Sequence, residues 1–382
     1  FPNSAGGAAL ASQYESEGAY VLILDAGDFS QGDTAVSVSE GATAVELMNM
    51  VGYDAVALGN HEFDYGFEAL KKNMENAQFP VLAANVKYNG ELAFDDAAGF
   101  TTPRGTKIGV FGLDTPETAT KAHPGKIQGV TFAGGEELYQ IAQDMANMLR
   151  EDEGCNYVIC IGHLGIDDET ATTANRSIDL LNKVTGIDVF IDGHSHTVME
   201  NKQVKDASGK DVTLTQTGSY FANVGEMTIA ADGTITTKLI PTHEGMDAGI
   251  AAMQTGWVNT VDDMLGEKIA VADTKFYITD PATGKRRIRS GETNLGDFVA
   301  DGIYTYFNEV EKLHCDLAIM NGGGIRADVP AGDWTFKTCK QVSPFGNVAC
   351  LMSVTGKQIQ DALEFAARFA GEGGKENGGF PQ

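Results

Sequence analysis

Residues Val56-Ala57-Leu58-Gly59-Asn60-His61-Glu62-Phe63-Asp64-Tyr65-Gly66 join a short apolar run to a glycine, and then to an amide, an imidazole and two carboxylates. The apolar run reads as a buried strand, and the polar stretch reads as a loop leaving its carboxyl end. The glycine lets the backbone turn tightly and approach a ligand closely. The same junction recurs along the chain. Leu22-Ile23-Leu24 leads into Asp25-Ala26-Gly27-Asp28-Phe29-Ser30-Gln31-Gly32, and Val158-Ile159-Cys160-Ile161 leads into Gly162-His163. Val189-Phe190-Ile191 leads into Asp192-Gly193-His194-Ser195-His196. Open α/β sheets place their sites outside the carboxyl ends of the strands, so junctions far apart in sequence can converge on one rim.

The residue types at these junctions favour a pair of metal ions. Imidazoles suit zinc, manganese, iron or cobalt, a carboxylate can bridge two ions, and an amide oxygen adds a neutral ligand. Two adjacent ions suit phosphoryl transfer, because they activate a water and clamp the attacking and leaving oxygens. A lone histidine after a strand is read instead as a capped or hydrogen-bonded residue, and His123, His243 and His314 receive that reading. Asp25 reads as a turn or cap residue.

Around these junctions the chain alternates strands and helices. Apolar runs at 20–24, 55–58, 81–83, 107–113, 157–161 and 189–191 read as buried strands. Residues 43–50, 67–76, 136–150 and 170–184 carry helical spacing, so the first part is a layered α/β domain. Residues 213–216, 224–229 and 234–239 read as a closing antiparallel meander. Residues 1–245 form the first domain, 246–265 a bridging helix and 266–382 a second α/β domain. In the latter, Asn294 reads as an N-cap ahead of an apolar stripe of Leu295, Phe298, Ile303, Tyr306 and Val310. Residues 317–320 read as a short strand, and Thr355 with Gln358 forms a capping box.

Composition excludes several classes. The 382 residues carry 27 Lys and Arg against 53 Asp and Glu, a net charge of −26. That balance argues against a surface that tracks polynucleotide phosphates and against docking on anionic membranes. No apolar run reaches the ~18 residues of a membrane span. Hydrophobic content of 42% excludes global disorder. The five cysteines show no C-x-x-C spacing, which argues against a disulfide framework or structural zinc site. Phe1 and the glycine-rich stretch 371–382, which reads as closing no element, suggest a piece cut at both ends.

The segments GDFSQG, GNHEFDYG, GHLG and GHSHT resemble the motif series of the calcineurin-like metallophosphatases. With NGGGIRADVPAG and SPFGN downstream, the chain resembles the 5′-nucleotidase family over nearly its whole length. The resemblance implies a four-layer α/β/β/α metallophosphatase domain, then the bridging helix and a nucleotide-specificity domain. It implies two divalent cations (Zn, Mn, Co or Mg), with Asp28 bridging them, Asn60, His163 and His194 on one, and His196 on the other. His61 would sit beside the scissile phosphate, oriented by Asp64. Arg289, Asn321 and Arg326 would contact phosphate and ribose, and Phe345 would stack on the base. The family's Asp-x-His, at a first strand end upstream of Phe1, belongs to the ion of His196. This piece is therefore expected to be catalytically poor and the complete protein active.

The implied reaction is release of phosphate from nucleoside 5′-monophosphates, by in-line attack of a hydroxide held on the two ions. Alternatives are a 2′,3′-cyclic-nucleotide 2′-phosphodiesterase with 3′-nucleotidase activity, a nucleotide-sugar hydrolase, and a non-catalytic nucleotide-binding protein. The partner is a small nucleotide and not a nucleic acid polymer, because local arginines and cations must overcome the acidic field. The family implies an extracellular, periplasmic or cell-surface location.

Overall fold

In the computed structural model, which describes residues 4–166, 175–241, 245–370 and 376–382, alternate residues of the apolar strands are buried on opposite sides. Ala55 and Ala57 pack with Ile108, Val110, Ile159, Ile161 and Val189. Val56 and Leu58 pack on the other side with Val45, Met48, Phe67 and Leu70. Val158, Cys160, Phe111 and Phe190 likewise turn away toward Leu138, Ala142, Ala146 and Leu180. A period of two with both faces apolar means a sheet covered on both sides.

The layers follow from that alternation. Leu24–Asp25, Ala55–Ala57 and Val81–Leu82 form a parallel three-stranded sheet. The helices Ala42–Val51 and Phe67–Met74 cover its outer face. A second sheet has six strands in the order Val198–Lys205, Asp211–Thr217, Val189–Asp192, Tyr157–Gly162, Lys107–Leu113, Ala97–Thr101. Its inner four are parallel and its two edge strands antiparallel. The helices Glu136–Asn147 and Ser177–Leu181 cover its outer face. The two sheets face each other through the alanine-rich layer, giving α/β/β/α.

They meet closely at Gly112, where an added Cβ would lie 2.1 Å from the Leu82 carbonyl oxygen. Backbone there cannot retreat, since the Gly112 carbonyl accepts the Ala84 amide at 2.9 Å. Gly112→Ala is expected to cost about 3 kcal/mol of stability. An unchanged denaturation midpoint would contradict this contact.

Contacts divide the chain into two units, Phe1–Trp257 and Val258–Gln382, with the division inside the helix Ala248–Leu265. The second unit pairs Lys268–Ala272 with Gly332–Thr335 and carries helices Asn294–Thr305, Phe336–Val342 and Gly356–Ala366. Ile278, Ile288, Leu295, Ile325, Val329 and Trp334 form its core. Phe276 and Phe298 meet Trp334 edge-on at 5.4 and 5.3 Å.

Several expectations are corrected. Residues 20–23 lie outside any strand, because the Ile23 amide bonds the Asp54 carboxylate at 2.7 Å instead of a ladder partner. There is no 213–239 meander: Asp211–Thr217 joins the large sheet, while Val224–Ile229 and Ile235–Ile240 form a separate hairpin. Helix Glu136–Asn147 passes into a wider turn over Met148–Asp152. The cap before Asn294 is Thr293, which accepts the Gly296 amide. Asn294 instead accepts the Tyr277 amide at 2.9 Å. Within its stripe only Leu295 is buried, and Phe298, Tyr306 and Val310 are exposed. Residues 317–320 form no strand, but Met320 exchanges two backbone hydrogen bonds with Gln382. The stretch 376–382 therefore does close onto the fold, through Met320, Asn321 and the Gln382 side chain on Ile288 and Gly291. His243 and the first part of the 170–184 segment fall outside the described residues.

Candidate metal centre

Four loop ends meet where the carboxyl ends of the two sheets adjoin. Leu24–Asp25 and Ala55–Ala57 deliver Asp28 and Asn60 from the small sheet, and Tyr157–Gly162 and Val189–Asp192 deliver His163 and His194 from the large one. Glycine makes the approach possible at Gly59, where a Cβ would lie 2.4 Å from Asp28 Oδ1 and 2.8 Å from His163 Cδ2. Gly193 has the same role, its would-be Cβ falling 2.6 Å from His163 Nδ1. Ligand atoms of Asp28, His163 and His194 then lie within 4.8 Å of one another. Asp28, His194 and His196 all hold left-handed backbones, with φ of 67°, 69° and 56°. Such conformations cost about 1–2 kcal/mol each for residues other than glycine, and they concentrate at functional sites.

Protonation follows from the partners. His163 Nδ1 lies 2.6 Å from the Ala26 carbonyl, which can only accept, so Nδ1 carries a proton. His163 Nε2 is buried and pairs with Asp28 Oδ2 at 2.9 Å. Asn60 Oδ1 is buried with no hydrogen-bond partner among the described residues. His194 Nε2 lies 3.2 Å from Glu117 Oε2, which leaves Nδ1 to act as a lone pair. Burial raises the Asp28 carboxyl, but the imidazoles of His163, His61 and His194 outweigh it and hold Asp28 well below the usual range. Burial opposes charge on His163, but Asp28 overrides it and raises its pKa to about 10. His194 is lowered, chiefly by burial. A carboxylate paired with one imidazole, a second imidazole with a lone pair and an amide oxygen that has no hydrogen-bond partner among the described residues fit a divalent cation of the zinc or manganese type.

His61 lies on the Asn60 loop. Its backbone amide donates to Asp28 Oδ1 at 2.9 Å, and its Nδ1 lies 2.8 Å from Asp64 Oδ2. Burial disfavours its charged form, but Asp28 and Asp64 prevail and its pKa is raised. Gln31 Nε2 also donates to Asp64, at 3.1 Å.

His196 lies outside the three-residue cluster, its ring 6.5 Å from that of Tyr220. His123 accepts the Gly125 amide and His314 pairs with Asp316 on the surface, so both keep their hydrogen-bonded reading. Asp25 accepts the Gly27 amide as a turn residue.

In the second unit, the candidates gather around one loop. Arg326 Nη1 donates to the Gly323 carbonyl at 3.4 Å, and its guanidinium sits 5.7 Å from the Phe345 ring centre. Asn321 Nδ2 donates to the Gly378 carbonyl, and the Arg289 carbonyl accepts the neighbouring Asn377 amide.

Four buried carboxylates around the centre escape the sequence reading: Glu62, Asp192, Glu117 and Asp114, the last acting on His163. Glu62 accepts the amides of Asp28, Ser30 and Gly59 at 2.8, 2.9 and 2.6 Å. Asp192 accepts those of Leu164, Gly165 and Gly193 at 3.0, 3.1 and 2.9 Å, and the Ser177 hydroxyl at 2.6 Å. Glu117 faces His194. The available signals are a glutamate three residues after Gly59, as in a capping box, and an acid closing a buried strand.

The calcineurin-like phosphoesterase profile matches residues 8–198, and that of the 5′-nucleotidase C-terminal domain matches 268–382. The chain is 32% identical over 417 residues to the trifunctional nucleotide phosphoesterase protein YfkN of Bacillus subtilis, covering 97% of this chain and 27% of that protein. It is 28% identical over 397 residues to the snake venom 5′-nucleotidase of Gloydius brevicauda, covering 93% of this chain and 63% of that one. The chain thus spans less than two thirds of the length of either relative. The crystal structure of a 5′-nucleotidase precursor from Thermus thermophilus superposes with a TM-score of 0.81 at 28% identity, over 99% of this chain and 75% of that one.

Proposed function

The chain belongs to the calcineurin-like phosphoesterase family and carries a 5′-nucleotidase C-terminal domain, and from that premise we propose that the protein is a metal-dependent hydrolase of nucleoside 5′-monophosphates. The observation that carries this reading is the cluster of Asp28, His163 and His194, with the partnerless Asn60 Oδ1 on the neighbouring loop. Asp28, Asn60, His163 and His194 are the residues that would hold one divalent cation, and His196 would serve a second. Bound cations supply the Lewis acidity that phosphoryl transfer requires.

The protein's own groups do the rest. Asp64 keeps a proton on His61 Nδ1, so the imidazolium retains a second N–H to meet charge that develops on the phosphoryl or leaving oxygen. Arg326 offers a planar fork to the phosphate, with Arg289 and Asn321 beside the same loop, and Phe345 offers its face to the base. Recognition is local because the overall field repels anions. No helix among the described residues is long and apolar enough to cross a membrane. Action outside the cytoplasm is part of the proposal, supported by the venom relative.

The test is a substrate panel on the full-length protein with AMP, 3′-AMP, 2′,3′-cyclic AMP and UDP-glucose. AMP is expected to turn over fastest. Turnover of the cyclic ester alone would replace this reading with the phosphodiesterase, an alternative that the name of the Bacillus relative keeps in view. Arg326→Ala is expected to raise KM for AMP about 10-fold or more, since hydrogen bonds to charged groups contribute about 1.5–3 kcal/mol. Steady-state kinetics with unchanged KM would remove Arg326 from the phosphate site.

A further inference from the structure

We propose that Glu62 and Asp192 are paired clasps that hold the metal-binding loops in their strained, ligand-ready conformation before any cation arrives. The inference rests on the metal-centre reading above and assigns positioning roles to two residues outside the proposed ligand set.

Each clasp joins the loops of one sheet. Glu62 binds the Asp28 loop to the Gly59 loop on adjacent strands of the small sheet. Asp192 binds the loop after His163 to the loop before His194 on adjacent strands of the large sheet. Both are almost fully buried, at 1% and 3% exposure. Each also grips the backbone at or next to a strained residue. Glu62 Oε2 accepts the amide of Asp28 itself, which has φ of 67°. Asp192 Oδ1 accepts the amide of Gly193, the residue before His194 with φ of 69°. Left-handed backbones persist only where their surroundings over-determine them, and these bonds supply that constraint.

Glu62 accepts amides at both oxygens, those of Asp28 and Gly59 at Oε2 and that of Ser30 at Oε1, so a side-chain amide in its place turns an N–H donor toward a backbone N–H. Asp192 takes its three amides at Oδ1 and the Ser177 hydroxyl at Oδ2, a set that an asparagine can keep, so its clasp is broken only by removing the acceptor. Glu62→Gln and Asp192→Ala therefore break the clasps. Outer residues that orient ligands typically contribute 10–100-fold to metal affinity.

The experiment is calorimetric titration of Mn²⁺ into the chelator-stripped protein, with melting temperature measured in parallel. Asp206→Ala is the control for a merely structural loss. Asp206 makes the same kind of bonds, to the Ser208 and Lys210 amides, in the turn between two strands of the large sheet. Glu62→Gln and Asp192→Ala are each expected to weaken Mn²⁺ binding 10–100-fold, whereas Asp206→Ala leaves it within twofold at a similar loss of melting temperature. Tight binding by the wild type with unchanged affinity in both variants overturns the clasps alone. A wild type that binds no Mn²⁺ overturns the metal-centre reading and this inference with it. If the variants fail to fold, Ser177→Ala carries the test. It removes one donor to Asp192 and is expected to weaken binding several-fold, and no change overturns the proposal.

Discussion

Asp28→Ala is expected to lower divalent-cation affinity by at least about 10³-fold, beyond the 10–100-fold typical of residues that merely orient ligands, and to take hydrolysis below detection. Asp28 lies at the centre of the cluster. One oxygen accepts the His61 amide and the other lies 2.9 Å from His163 Nε2. Its loss also has a signature in the metal-free protein. His163 is buried, and burial alone would lower its pKa. The Asp28 carboxylate reverses this and raises it to about 10. Without Asp28 only Asp114 and the Ala26 carbonyl oppose burial at the imidazole, and its pKa is expected to fall well below its value in the intact protein. Imidazole NMR titration of the stripped variant reads this directly. A His163 that titrates alike in both proteins would remove the pairing on which the site is built.

His61→Ala is the second large effect. A positioned proton donor contributes about 10²–10⁴-fold, and kcat is expected to fall by that amount while Mn²⁺ affinity stays within a few-fold. The pH profile supplies the sign. Asp28 and Asp64 raise the His61 pKa, so the protonated form persists to higher pH and activity declines only as pH rises through that raised value. In Asp64→Asn one source of the rise is gone, and the decline is expected to move to lower pH. A decline that stays in place would show that the Nδ1 contact at 2.8 Å does not control the proton.

Much of this architecture was legible because it is written in local junctions. An apolar run, a glycine and a metal-competent side chain recur at Asp28, Asn60, His163 and His194, and those junctions do meet. What the junctions do not reveal is that they issue from two facing sheets. The layer between is Ala55 and Ala57 against Ile159 and Ile161. Strands with both faces apolar look alike whether helices or another sheet cover them. Edge strand Val198–Lys205 is hidden for the opposite reason. Of its residues only Val204 is buried, so it lacks the apolar alternation that marks a strand. Thr293 and Asn294 are both good caps, and Asn294 lost the position because its side chain was engaged by Tyr277 and Lys275. Glu62 and Asp192 receive no role from the sequence because their partners are backbone amides, which leave no mark in it.

Asp28, Asn60, His163 and His194 are proposed to hold one cation at a shared rim. Anomalous diffraction at the zinc edge from crystals grown with Zn²⁺ tests it. A peak is predicted at ligand distance, roughly 2.0–2.2 Å, from Asp28 and from the free nitrogens of His163 and His194. Zinc density only elsewhere on the molecule, with those side chains left as a carboxylate–imidazolium pair, would contradict it.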